Sequence, residues 1–169
     1  MVYSLVYIMF NQLYFIEGGV YMTYQEKKSI VSLISTILIF TVYCLYKYPE
    51  YPDEVLDSNV TFHYWGSFVL VLTLVSIAAH IVISIIFNIL FRITTGEKEP
   101  AFADEMDKRI DLLAFRNSFA VFVLGFLLAM GSLVIDQPLK VMFIVLIVSG
   151  FLSDVTGSIS RLYHYRRGV

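Results

Sequence analysis

The sequence predicts an all-α, polytopic membrane protein: a four-transmembrane-helix bundle with its N- and C-termini cytoplasmic. Three observations carry this expectation: the composition, the gaps between charged residues, and the side on which the basic residues fall. Of the 169 residues, 58% are hydrophobic and only 15% are charged, and the mean hydropathy is +0.74. A soluble domain is about 45–50% apolar and about 25% charged, so there is too little polar surface here to coat a water-exposed globule.

A helix needs about 20 mostly apolar residues to cross a hydrocarbon core of about 30 Å. Lys28 and Lys47 bracket eighteen uncharged residues, which place a first span at about 29–46. Asp57 and Arg92 enclose the second, densest over 65–91. Arg116 and Asp136 enclose the third, 117–135, and Lys140 and Arg161 the fourth, 140–160, broken only by Asp154. These runs are continuous rather than alternating in segments of about ten residues, which favours helices over barrel strands.

Ten of the twelve Lys and Arg residues then fall on one side. Lys27 and Lys28 precede the first span, Arg92, Lys98, Lys108, Arg109 and Arg116 lie between the second and third, and Arg161, Arg166 and Arg167 follow the fourth. By the positive-inside rule that side is cytoplasmic. The first outer loop, up to Tyr64, is acidic, and Pro49 and Pro52 interrupt any helix in it. Asp136 to Leu139, with Pro138, forms a tight turn, making the third and fourth helices antiparallel neighbours.

Residues 1–21 are read separately from the four-helix membrane domain, 22–169. Glu17-Gly18-Gly19-Val20 can be encoded as GAA GGA GGT GTN, which contains AGGAGG, the purine-rich element that bacterial ribosomes bind ahead of a start codon. Translation is therefore expected to begin at Met22, in a bacterial source, with 1–21 an upstream stretch read in frame. The alternative is an additional hydrophobic helix.

Segment 101–116 is expected to be an amphipathic cytoplasmic helix leading into the third span. Asp104 caps it, Met106, Ile110 and Leu113 share one face, and Asp104 with Lys108 and Glu105 with Arg109 stand at i,i+4. Its charged residues Asp104, Glu105, Lys108, Arg109 and Arg116 are candidates for docking a cytoplasmic partner. The alternative is a solvated helix whose charges only set topology.

Polar residues within the spans are the other candidates, because each must find a partner in a medium that offers none. On the second span Thr73, Ser76, His80, Ser84 and Asn88 form one stripe, expected to face the bundle interior. The fourth span carries a small-residue stripe, Ser149, Ser153 and Gly157, of the kind that lets helices approach closely. His80 lies fifteen residues past Trp65 and Asp154 fourteen past Lys140, so both sit about 21–22 Å from the outer boundary. Two readings follow. In one, Asp154 pairs with His80 in a polar cavity facing the cytoplasm; in the other, Asp154 pairs with Arg161 or reaches interfacial water while His80 bonds a neighbouring helix.

A net charge of −2 with scattered basic residues argues against nucleic-acid binding, and the single cysteine, Cys44, against a multi-cysteine metal site. No phosphate loop, HExxH or nucleophile elbow is present, so no catalytic residue, cofactor or metal is expected. The run Asp104-Glu105, Lys108-Arg109-Ile110 and Ala114-Phe115-Arg116, continuing into the third span, resembles the middle of small uncharacterised four-helix integral membrane proteins of bacteria and archaea. The resemblance covers Met22 to Arg167; it implies the four-span architecture and transfers no catalytic residue. The expected function is thus that of a non-enzymatic accessory, sensory or immunity-type subunit of the bacterial inner membrane. Its partners would be the lipid bilayer and either a second copy or a membrane or cytoplasmic protein. The alternative is a small transporter or proton-linked channel subunit using the His/Asp pair.

Overall fold

The computed structural model describes residues 22–47, 58–95 and 105–167, which are helical almost throughout. In chain order they form α1 (Tyr24–Lys47), α2 (Ser58–Thr95), α3 (Glu105–Val134) and α4 (Leu139–Arg167). Each is long and apolar enough to cross a membrane. The 24 residues of α1 rise about 36 Å and the 38 of α2 about 57 Å, so α2 extends well beyond the hydrocarbon thickness.

The helices overrun the expected spans. Helix α2 starts at Ser58 rather than near Trp65, so Ser58–Tyr64 is helical where a loop was expected. Segment 105–116 and the third span are one helix of 30 residues, and α4 continues past Ser160 to Arg167. The reason is physical: a charge marks the end of an apolar run, whereas a backbone helix ends only where a cap or a breaker stops it. Residues 1–21, the loop up to Asp57 and the Asp104 cap lie outside the described residues.

The start of α1 carries a signal the charge count misses. In Thr23-Tyr24-Gln25-Glu26, Glu26 Oε2 accepts the Thr23 N–H at 2.7 Å, and Thr23 Oγ1 accepts the Glu26 N–H at 3.3 Å. This capping box satisfies two N–H groups that the helix itself leaves open. Helix α3 ends in a six-residue counterpart: Gln137 N–H bonds Ser132 O at 3.0 Å and Asp136 N–H bonds Leu133 O at 3.3 Å. Asp136 takes the left-handed conformation this motif requires, with φ 55°. Pro138 follows, and α4 starts one residue later.

The chain therefore reverses tightly, and α3 lies against α4 along most of its length. Small residues permit the approach. A Cβ on Gly125 would overlap the Ser149 side chain and come within 3.4 Å of the Ser149 Cα. Further along, Gly157 faces Ser118, and the Ser118 and Ser153 hydroxyls bond each other at 2.8 Å. Ala114 and Ala129 are wholly buried. Helix α4 also packs on α1, and α1 on α2. At the end where α1 begins, Val31, Phe87 and Phe91 form a buried cluster capped by Tyr24. At the opposite end the Tyr43 ring meets Phe68 edge-on, and Trp65 stacks on Phe143 of α4 at 5.8 Å. Among the described residues no Cα of α2 lies within 8 Å of a Cα of α3.

Gly125→Ala is expected to lower stability in detergent by about 1–3 kcal/mol, and Ser149→Gly in the same chain to restore most of it, as read by thermal unfolding. Asp136→Gly, which removes a side chain from a left-handed position, is expected to raise stability by up to about 1 kcal/mol.

Candidate functional site

Because α2 and α3 stay apart while α1 and α4 bridge them, a recess of about 970 Å3 opens between α2 and α3. All four helices contribute to its wall, including Thr36 from α1, Ser76 and His80 from α2, Ser118 from α3, and Ser153, Asp154 and Arg161 from α4. Polar groups gather toward the end where α1 begins and α4 finishes. Farther along, the wall is made by apolar residues such as Phe40, Val69, Phe122 and Leu146.

The structure places His80 and Asp154 on this common wall but gives His80 other bonding partners. Its Nδ1 lies 2.8 Å from the Ser76 carbonyl oxygen and its Nε2 lies 3.1 Å from Thr36 Oγ1. A carbonyl only accepts, so Nδ1 carries a proton. In the neutral ring, Nε2 then accepts from the Thr36 hydroxyl of the neighbouring helix. Asp154 forms no hydrogen bond or ion pair with a described residue, and it does not take Arg161. The Arg161 Nε donates to Asp111 Oδ1 of α3 at 3.0 Å. Asp154 stands at mid-helix, about 22 Å from Leu139 by axial rise.

The remaining polar candidates divide by partner. Ser76 contributes its backbone carbonyl to His80, and Asn88 Oδ1 accepts the Tyr24 hydroxyl of α1 in a short bond. Both contacts turn the α2 stripe toward α1; Ser84 is half-buried on the same stripe, whereas Thr73 at its far end is exposed. Ser153 Oγ donates to the Ser118 carbonyl at 2.9 Å and so belongs to the α3–α4 seam as well as to the recess.

At the end where α1 begins, α1, α3 and α4 are stitched together by groups that composition does not single out. Glu26, 5% exposed, is within 3.9 Å of Arg166 while capping α1. Tyr165 donates to Asp107 at 3.0 Å, and Asn117 to Ser160 at 2.9 Å. Burial together with the adjoining Asp107 carboxylate pushes the Tyr165 phenol well above its ordinary pKa, so it stays a donor at neutral pH. A sequence signal for this network existed: Asp107 and Asp111 are four apart on α3, as are Arg161 and Tyr165 on α4. In an antiparallel hairpin the two pairs meet rung by rung. Of the docking candidates, Glu105, Lys108, Arg109 and Arg116 are exposed on α3, and Asp104 is outside the described residues. No group of three or more His, Cys, Asp or Glu able to hold a metal ion occurs among the described residues.

A double-mutant cycle on unfolding in detergent is expected to give a coupling of about 0.6–1.7 kcal/mol between Thr36→Val and His80→Ala. The cycle pairing His80→Ala with Asp154→Asn is expected to give a smaller one, because no bond joins those side chains. No family model matches the chain, and no curated protein or solved structure matches it either.

Proposed function

We propose that the chain is a multi-pass protein of the bacterial cytoplasmic membrane, with the start of α1 and the end of α4 on the cytoplasmic side, acting by interaction rather than catalysis. In this reading it is a sensory or accessory subunit, and the recess between α2 and α3 receives a molecule from the bilayer. The observation that carries the reading is the separation of α2 from α3, whose described Cα atoms stay more than 8 Å apart, beside a recess of about 970 Å3. That volume is at the upper end of small-molecule sites, and the wall changes from polar to apolar along its length, which suits an amphiphile. The exposed Lys108, Arg109 and Arg116 on the first turns of α3 support a cytoplasmic face that meets a partner or anionic headgroups. The resemblance of 104–116 to small four-helix membrane proteins of bacteria and archaea is part of the same proposal.

A second reading, proton-linked transport, is favoured by one observation: His80 and Asp154 line the same recess. The two readings separate in proteoliposomes. The interaction protein is expected to leave an imposed pH gradient intact, whereas a flux abolished by Asp154→Asn establishes transport instead. Occupancy is read by native mass spectrometry of protein released from membranes. The unsubstituted chain is expected to retain a bilayer-derived molecule that Thr73→Trp, which fills the recess from an exposed position on α2, expels. Equal retention by the two overturns the recess as the site.

A further inference from the structure

Three charged or chargeable side chains face the recess: Asp154, Arg161 and His80. Arg161 is already held by Asp111, at 3.0 Å, and His80 by Thr36 and the Ser76 carbonyl. Asp154 alone has no partner among the described residues. A carboxylate at mid-helix in an apolar surround is costly unless a counter-charge or hydrogen bonds reach it; His80 and Arg161 act on it only across space, and no described side chain forms a hydrogen bond or ion pair with it. An incoming anion would find Arg161 already paired with Asp111 and would meet Asp154 as a like charge. An incoming cation meets the carboxylate directly.

The surrounding wall narrows the kind of cation. Phe40 and Phe151 stack at 4.2 Å between α1 and α4, and Phe115 and Phe119 stack along α3 at 6.1 Å, all four lining the recess. Faces of aromatic rings attract cations that shed water easily, ammonium and quaternary groups above all. A small hard metal ion instead requires six or more oxygen ligands, and here there is a single carboxylate, with the Thr36, Thr73, Ser118 and Ser153 hydroxyls of the wall already hydrogen-bonded. We infer that the recess is a binding site for a lipophilic organic cation, an amine- or onium-bearing amphiphile that enters between α2 and α3. Asp154 is its counter-ion and the phenylalanines are its apolar enclosure. This rests on the recess being the site through which the protein acts, and it adds the charge and class of the ligand.

The test uses the full chain in lipid nanodiscs with radiolabelled tetraphenylphosphonium as the probe and tetraphenylborate as its anionic counterpart of similar shape, each corrected against empty nanodiscs. Saturable tetraphenylphosphonium binding is expected, with tetraphenylborate far weaker. Asp154→Asn is expected to weaken binding of the cation by at least about tenfold, Asp154→Glu to retain it, and Asp136→Asn, in the α3–α4 turn, to leave it unchanged. Thermal unfolding of Asp154→Asn controls for folding, and if that variant proves unstable the comparison of Asp154→Glu, tetraphenylphosphonium and tetraphenylborate in folded protein decides. Equal binding of the two ions, or tetraphenylphosphonium binding indifferent to Asp154→Asn but lost in Thr73→Trp, overturns the cation assignment and leaves the recess as a site. Absence of saturable binding by either ion overturns the cation assignment, and equal bilayer-molecule retention by Thr73→Trp separately overturns the recess.

Discussion

The close approach of α3 and α4 is the constraint on which the rest of the structure depends. In a bilayer there is no hydrophobic force between helices, since lipid chains are as apolar as leucine, so association relies on packing and interhelical hydrogen bonds. Gly125 against Ser149 and Gly157 against Ser118 bring the two backbones near enough for both. The Ser118–Ser153 and Asn117–Ser160 bonds follow from that proximity. The turn fixes the register. As α3 advances from Asp107 to Asp111, α4 retreats from Tyr165 to Arg161, so each acid meets its donor without any adjustment of the backbone.

With the hairpin set, α1 needs only to lie on its α4 side. The Phe40–Phe151 stack and the Glu26–Arg166 pair hold it there, and Glu26 serves both the cap of α1 and the joint to α4. Helix α2 is the last element in this chain of dependence. It reaches the bundle mainly through α1, by Tyr24–Asn88 at one end, Thr36–His80 in the middle and Tyr43–Phe68 at the other. It meets α4 at Phe143, on which Trp65 stacks and against which Phe62 stands edge-on.

What could be read from the sequence divides along the same lines. Charge gaps reveal four helices because the cost of a charge in hydrocarbon is local and large. The stripe of Ser149, Ser153 and Gly157 is legible because close packing demands small residues wherever it occurs. Which helix α2 packs against is not legible, for most of its surface is apolar and lipid places no polar side opposite a buried one. The polar stripe through His80 and Asn88 does mark its inward face, but the partners, Thr36 and Tyr24, belong to another helix and lie 44 and 64 positions away. The similar depths of His80 and Asp154 suggested a pair; the helices place them on one wall, while local geometry satisfies His80 elsewhere. Axial rise gives height along a helix, not azimuth around it.

The gap between α2 and α3 follows from these unequal attachments. Closing it requires α2 to roll toward α3, and among the described residues that roll is opposed by hydrogen bonds to α1 at Asn88, His80, Phe68 and Tyr64, by the rings of Tyr24 and Tyr43, and at α4 by Phe62 and Trp65 against Phe143. None of the α3–α4 seam is disturbed by such a movement. The hairpin thus carries Asp154 and Arg161 on one wall of the recess, and α2 carries His80 on the other. Arg161 is committed to Asp111 within the hairpin, so movement of α2 leaves its charge balanced. Asp154 has no such bonded partner among the described residues, and His80 and Arg161 act on it only across space, so a molecule in the recess would meet its carboxylate directly. If the recess is occupied as proposed, occupancy and the position of α2 are linked through one carboxylate, the differential interaction a ligand needs in order to shift a helix arrangement.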